Sequence, residues 1–162
     1  MDHMAAALDL ARAQAGRTGP NPSVGCVLVR DGVIIGQAAT ADGGRPHAET
    51  QALAMTLDGA GERARGAHAF VTLEPCAHHG VTPPCSDALI RAGVASVTIG
   101  MIDPDSRTRW QGAARLQEAG IDTRLDLREA IAAFYRDYSA SRLVLRDGLR
   151  PPQDETNDIA RR

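Results

Sequence analysis

Four residues near the middle of the chain could share one piece of chemistry. His47 and Glu49 flank Ala48 in P-H-A-E, and Cys76 and Cys85 each follow a proline in T-L-E-P-C-A-H-H-G-V-T-P-P-C. Imidazole nitrogen and thiolate sulfur are donors that suit zinc, and a catalytic zinc takes three protein ligands and keeps one position open. His47, Cys76 and Cys85 would supply those three. Glu49 would stay off the metal. From the start of a helix it would lie close to the same site, take a proton from water on the metal and pass it to a substrate. Cys85 is also expected to open a helix, whose N-terminus favours a thiolate. Pro75 and the Pro83-Pro84 pair restrict the backbone ahead of each cysteine, which lowers the entropy cost of fixing the ligands.

Plainer roles compete for the same residues. A structural zinc site closes with four ligands, and His78 or His79 could be the fourth; Glu49 would then have no task. A first-turn acid is favoured by the helix dipole alone. Asn21 is a turn residue before a proline, and His78 could simply hydrogen-bond backbone. Trp110 could plug the edge of the core, and Arg107 and Arg109 could be solvated. Cys26, in the apolar run V-G-C-V-L-V, reads as a small buried hydrophobe.

Regular elements must bring these side chains together. Apolar residues at Met4, Ala7, Leu8 and Ala11 predict a helix over 2–16, closed by Gly16. Two β-branched runs around Asp31-Gly32 predict a hairpin. A helix over 47–58, a strand at 68–73, a helix from Cys85 to Gly93 and a strand at 95–101 follow. After the loop D-P-D-S-R-T-R-W-Q-G come a helix ended by Gly120, a short strand I-D-T-R-L and a last helix over 127–141. There Ile131, Phe134, Tyr135 and Tyr138 share one side. Alternation of helix and strand after the hairpin is the α/β signature, and the hairpin makes the sheet mixed. The expected architecture is a three-layer α/β/α domain over residues 1–145 with a mixed, mostly parallel five-stranded sheet. The polar, proline-containing tail 146–162 is expected to be disordered.

Composition narrows the function classes. A chain of 162 residues suits one domain. Its net charge is −2 and every basic residue is Arg, with no basic run of the kind nucleic-acid binders show. No apolar run reaches the roughly 20 residues that span a bilayer, and the N-terminus reads as an amphipathic helix, not a signal peptide. Three cysteines without a secretion signal argue against a disulfide framework. These features point to a cytoplasmic protein with neither nucleic acid nor membrane as partner.

H-x-E followed by P-C is the signature of zinc-dependent nucleobase deaminases, whose second half is usually P-C-x-x-C. Here eight residues separate the cysteines, so a short turn has become a loop that could fold over a substrate. The string from Thr72 to Cys85, with T-G-P-N-P-S-V-G-C-V-L-V-R-D-G before it and I-G-M-I-D-P-D after it, resembles the deaminase domain of the bifunctional riboflavin-biosynthesis deaminase/reductase (RibD type). The likeness covers roughly residues 1–145. It implies a cytidine-deaminase-like fold and Zn2+ on His47, Cys76 and Cys85, with Glu49 as proton shuttle. It also implies hydrolytic loss of an exocyclic amino group from an aminopyrimidine, the riboflavin-pathway diaminopyrimidinone ribotide first. Asn21 would contact the ring or ribose, His78 would sit beside the substrate, and Asp103 would face the ribose phosphate. Thr82, Arg107 and Trp110 complete the implied substrate side. A homo-oligomer, dimer or tetramer, is expected by analogy.

Departures from the family pattern fall on that substrate side. Thr40 stands where the family usually has His, and Val81 where it has Lys or Arg. Asp105 and the bulky S-R-T-R-W-Q-G replace Asn and a glycine-rich turn. Either Arg107 or Arg109 takes over a phosphate contact, or the substrate lacks the phosphate and Trp110 stacks on a different ring. S-R-L-V-L-R-D-G-L-R-P-P resembles the family's linker strand, and the reductase domain is expected to be absent, so a reductase step would need a separate protein. Two other readings remain. A tRNA or nucleobase deaminase shares H-A-E, but the wide cysteine gap and the lack of basic surface count against it. A zinc-stabilised binding subunit without activity is the third, and the intact Glu49 argues against it.

Overall fold

The computed structural model describes residues 1–56 and 63–147. Helix α1 (His3–Gln14) starts at Asp2, whose carboxylate accepts the Ala5 N–H at 3.0 Å. Its buried residues are Met4, Ala7, Leu8 and Ala11, one apolar stripe at helical spacing. Strands β1 (Gly25–Arg30) and β2 (Val33–Ala39) form the expected hairpin. Asp31 and Gly32 both take positive φ, 51° and 76°, as the tight two-residue turn requires. There follow α2 (Ala48–Ala54), β3 (His68–Val71), α3 (Cys85–Ala92), β4 (Ser96–Ile99), α4 (Gln111–Glu118), β5 (Asp122–Leu125), α5 (Glu129–Phe134) and α6 (Arg136–Asp147).

The sheet order is β2-β1-β3-β4-β5. β1 runs antiparallel to both β2 and β3, and β3, β4 and β5 are parallel. Four strands therefore point one way and β1 alone runs against them. The pairings divide evenly, because β1 lies between two strands of the majority direction.

In β1, Gly25 to Val29 are all buried, as a strand covered on both faces must be. Val27 and Val29 pack with Ala7 of α1, while Cys26 and Leu28 join the main cluster with Ala48 and Ala52 of α2. Helices thus flank both faces, giving the three layers. α1 sits so close that a Cβ on Gly25 would lie 1.8 Å from the Ala7 carbonyl oxygen. Burial pushes the Cys26 thiol up, in keeping with an inert core residue.

Two differences from the sequence reading concern the C-terminal part. The last helix is broken into α5 and α6 at Tyr135, which leaves the helical region at φ −93° and ψ 9°. The stretch expected as a linker strand continues α6 to Asp147. S-R-L-V-L-R contains no Gly or Pro before Gly148, so nothing stops the helix earlier. The rest of the expected tail, 148–162, lies outside the described residues, as does the end of the helix predicted to 58. Among the described residues no helix is long and apolar enough to cross a membrane.

The break at Tyr135 has a purpose in packing. Its buried hydroxyl donates to the Ser23 carbonyl at 2.8 Å and lies 2.6 Å from the Thr72 hydroxyl. Since that proton is committed to Ser23, Thr72 donates to Tyr135, and the Thr72 oxygen in turn accepts the Gly25 N–H at 3.0 Å. Ser23 closes the chain by donating to the Ala11 carbonyl at 2.7 Å. One tyrosine thereby ties α5 to the entry of β1, the exit of β3 and α1. Tyr135→Phe leaves the Thr72 proton and the Ser23 carbonyl without this partner, and should cost about 1–3 kcal/mol in urea unfolding. Burial raises the Tyr135 pKa above the ordinary phenol value. The unfolded chain therefore loses this proton first as pH rises past that value, and stability falls there. Tyr135→Phe should show a shallower alkaline decline than the parent; equal slopes would contradict the assignment.

Candidate functional site

Strand direction decides which loops meet. The segments leaving the C-terminal ends of β2, β3 and β4 carry Thr40 to His47, Leu73 to Cys76 and Asp103. Because β1 runs the other way, its N-terminal lead-in, Asn21 to Val24, reaches the same edge. A single cavity there is lined by Asn21, Thr40, His47, Glu49, Cys76 and His78, with Asp103 also on its wall.

His47 is the residue before α2, held extended at φ −69° and ψ 159°. Its Nδ1 lies 3.3 Å from the Cys85 sulfur and 3.8 Å from the Cys76 sulfur. The three donor atoms all fall within 4.8 Å of one another. A tetrahedral zinc with Zn–N near 2.0–2.1 Å and Zn–S near 2.3 Å separates N from S by roughly 3.5 Å, so the cluster fits that ion without rearrangement. Among the described residues the metal-capable group contains these three and neither His78 nor His79. The donor set is that of an open, catalytic-type site, not a closed structural one.

The cysteines are prepared for a cation. Cys85 opens α3, and its backbone N–H donates to the Cys76 sulfur at 3.2 Å. The Ser86 N–H and hydroxyl hold the Cys76 carbonyl at 3.1 and 2.9 Å. Cys76 is lowered to about 4, first by the hydrogen bond from the Cys85 thiol, against the cost of burial, with help from His47 and the α3 N–H. Cys85 moves up for the converse reason, as the donor to Cys76. His47 is raised first by its bond to the Cys76 sulfur, against the cost of burial.

Glu49 lies in the first turn of α2 and is 3% exposed. Burial, followed by the charge on Cys76, pushes its carboxyl up to about 7. A carboxyl poised between its two states at neutral pH can both accept and return a proton.

Substrate-side expectations divide. Asn21, His78 and Asp103 are on the cavity wall. The Asn21 amide donates to the Gly44 carbonyl at 3.1 Å, which orients it, and Gly44 leaves no room for a side chain there. Both Asp103 oxygens are engaged, by the Asp105 N–H at 2.9 Å and the Thr108 hydroxyl at 2.6 Å. Thr82, Arg107 and Trp110 do not line the cavity. The Arg107 guanidinium is bound to Asp105 two residues away, at 2.6 to 3.2 Å, and Thr82 instead accepts from Arg45 at 3.2 Å. Trp110 is 53% exposed and occupies the N-cap of α4 at φ 67°.

Several wall residues were not singled out from sequence: Arg45, Glu74, Tyr138 and Arg142. Glu74 lay within the quoted T-L-E-P-C string. It accepts the backbone N–H groups of Asp103, Trp110 and Ala113 at 2.9, 3.1 and 3.1 Å. It therefore pins the loop after β4 and the head of α4 to the cysteine loop. Beside it, a Cβ on Gly112 would lie 1.9 Å from the Pro75 carbonyl oxygen. Arg45 sits two residues before His47, and Arg142 falls in the stretch expected to be a linker.

Comparison with known proteins agrees with this geometry. Residues 1–101 match the family model described as the cytidine and deoxycytidylate deaminase zinc-binding region. The chain is 56% identical over 120 residues to riboflavin biosynthesis protein RibD of Escherichia coli K12, covering 74% of this chain and 32% of that one. It is 44% identical over 119 residues to the diaminohydroxyphosphoribosylamino-pyrimidine deaminase of Buchnera aphidicola from Acyrthosiphon pisum, covering 74% of this chain and 78% of that one. Acinetobacter baumannii RibD superimposes with a TM-score of 0.79 at 40% identity, covering 86% of this chain and 38% of that one. The chain spans about a third of the length of the RibD relatives.

Zinc content measured by plasma mass spectrometry should fall when His47, Cys76 or Cys85 is replaced by Ala. It should stay at the parent level in His78→Ala and His79→Ala; metal loss in either would make that histidine a fourth ligand. Glu74→Ala should cost about 1–3 kcal/mol, since it leaves the buried Ala113 N–H and two partly buried N–H groups without this acceptor. It should also speed hydrogen exchange at Asp103, Trp110 and Ala113; unchanged exchange there would remove the pinning role.

Proposed function

Because the chain belongs to the cytidine and deoxycytidylate deaminase zinc-binding family, we propose that it deaminates an aminopyrimidine hydrolytically. The substrate favoured is the diaminopyrimidinone ribotide of riboflavin biosynthesis. One observation carries the reaction class: a three-member His47–Cys76–Cys85 donor set meets the buried carboxyl of Glu49 at one cavity. The substrate follows from the relatives' names, above all the Buchnera deaminase of which this chain covers 78%.

In this reading His47, Cys76 and Cys85 hold Zn2+, which supplies Lewis acidity and makes water nucleophilic near neutral pH. Glu49 would take one proton from the attacking water and deliver it to the ring nitrogen beside the amino-bearing carbon. The water oxygen joins this carbon, Glu49 relays the second proton to the amino group, and the C–N bond breaks. One water is consumed, a ring carbonyl forms and ammonia leaves. Burial is what allows Glu49 both roles, since an exposed carboxylate would be too weak a base and too rarely an acid. Asn21 and His78 line the same cavity and would orient the ring. Asp103, held on both oxygens and bonded through its N–H to Glu74, would fix the wall beside the cysteine loop.

Zinc-loaded protein should release ammonia from the ribotide. Glu49→Gln should keep zinc and lose turnover by at least about 100-fold. Undiminished turnover in Glu49→Gln would rule out the proton relay. Silence on the ribotide with activity on another aminopyrimidine would keep the relay and replace the substrate.

A further inference from the structure

We propose that Arg45 and Arg142 form a two-point seat for an anionic group on the substrate, and so set the preference for a phosphorylated over a phosphate-free ring. The inference rests on the deaminase reading above and assigns the residues that would discriminate within it. Both arginines line the cavity that holds His47, Glu49 and Cys76. They come from distant parts of the chain, one from the segment before α2 and the other from α6, and fold onto the same space.

Neither guanidinium is ion-paired with a carboxylate among the described residues. Their direct contacts are with neutral groups, with Asp105 within electrostatic reach of Arg142. Nη1 of Arg45 donates to the Thr82 hydroxyl at 3.2 Å, and the Arg142 guanidinium lies 5.1 Å from the Tyr138 ring centroid. A guanidinium has five N–H donors, so both retain donors for a ligand. Planar forks of this kind match the oxygens of a phosphate.

The acids on the same wall are held by other donors and, among the described residues, make no ion pair with either arginine. Glu74 is occupied by three backbone N–H groups, and Asp103 by the Asp105 N–H and the Thr108 hydroxyl. Other candidates for the task are placed elsewhere. Val81, where a basic residue was expected, is apolar and 85% exposed, and Arg107 is bound to Asp105 off the cavity wall. Arg45 is well placed to replace a cation lost from position 81. A Cβ on Gly80 would lie 3.4 Å from its Nη2, so the guanidinium reaches the loop that carries Val81.

The test uses the zinc-loaded chain in two arms. The first compares kcat/KM for the ribotide and its dephosphorylated riboside in the parent, Arg45→Gln, Arg142→Gln and, as a charge-matched control, Arg107→Gln. The second measures calorimetric binding of ribose 5-phosphate against ribose. The ribotide-to-riboside preference should drop about 10- to 100-fold in Arg45→Gln and Arg142→Gln, chiefly through KM, and should stay at the parent value in Arg107→Gln. Phosphate-dependent binding should fall in parallel. Binding that depends on both arginines without ribotide turnover would uphold the seat and overturn the substrate reading. Ribotide turnover with an unaltered preference in both variants would overturn the seat and leave that reading standing. Loss of preference in Arg107→Gln alone would also overturn it, and so would the absence of phosphate-dependent binding together with no ribotide turnover.

Discussion

Strands β2, β3 and β4 end at one edge of the sheet, while β1, inserted between β2 and β3, begins there. Everything chemical in this molecule follows from that constraint. Ligands of open α/β sheets bind outside the carboxyl ends of the strands, where backbone leaves the ladder and side chains can converge. The reversed β1 adds a segment that a wholly parallel sheet would send to the opposite edge. Asn21 can therefore face His47 and Cys76 across one cavity although its strand runs the other way. The close fit of α1 on Gly25 and the Tyr135 chain of hydroxyls act on this same lead-in. They fix where β1 starts, and hence where Asn21 stands.

The segment from Thr72 to Ser86 is anchored at both ends. Thr72 is bound to Gly25 and Tyr135, Glu74 to three amides of a neighbouring loop and helix, and the Cys76 carbonyl to Ser86. Pro75 is pressed against Gly112. A metal site gains affinity when its ligands are placed before the ion arrives, because little ordering entropy remains to be lost. These contacts do that for Cys76 and Cys85. The exposed middle of the loop, from His78 to Thr82, carries few of them. Rigid ends and a freer centre suit a segment that must hold a cation and admit a substrate beside it.

What could be read from the sequence divides by range. Local signals were legible: the Asp31-Gly32 turn, the Gly93 helix stop, the stripe of α1, and the ligand set with its nearby acid. Each depends on residues a few positions apart or on the donor chemistry of zinc. The antiparallel pairing of β1 with β3 joins segments some 40 residues apart in sequence, and no periodicity encodes which edge a strand will choose. The break at Tyr135 was hidden for the same reason, since an unbroken apolar stripe predicts one helix, and only the contacts to Ser23 and Thr72 interrupt it. Arg107 is a different case. Asp105 two residues away is a local partner visible in the sequence, and an ion pair of that kind removes an arginine from service as an anion ligand.

The cavity's electrostatics also depart from what a count of its charges would imply. Glu49, Glu74 and Asp103 outnumber Arg45 and Arg142 on the wall, so by formal charge the site should repel an anion. Burial and orientation change which of these charges a ligand meets. Glu49 is driven toward its neutral form by burial, while Glu74 and Asp103 keep their charge but are turned to backbone N–H groups and a hydroxyl. The Arg45 guanidinium donates to a hydroxyl, and that of Arg142 lies against the Tyr138 ring within electrostatic reach of Asp105. Zn2+ held by His47 and the two thiolates would leave the cavity floor neutral overall. Glu74 and Asp103 serve the architecture, and the arginines carry the donors that an anionic ligand entering this cavity would meet.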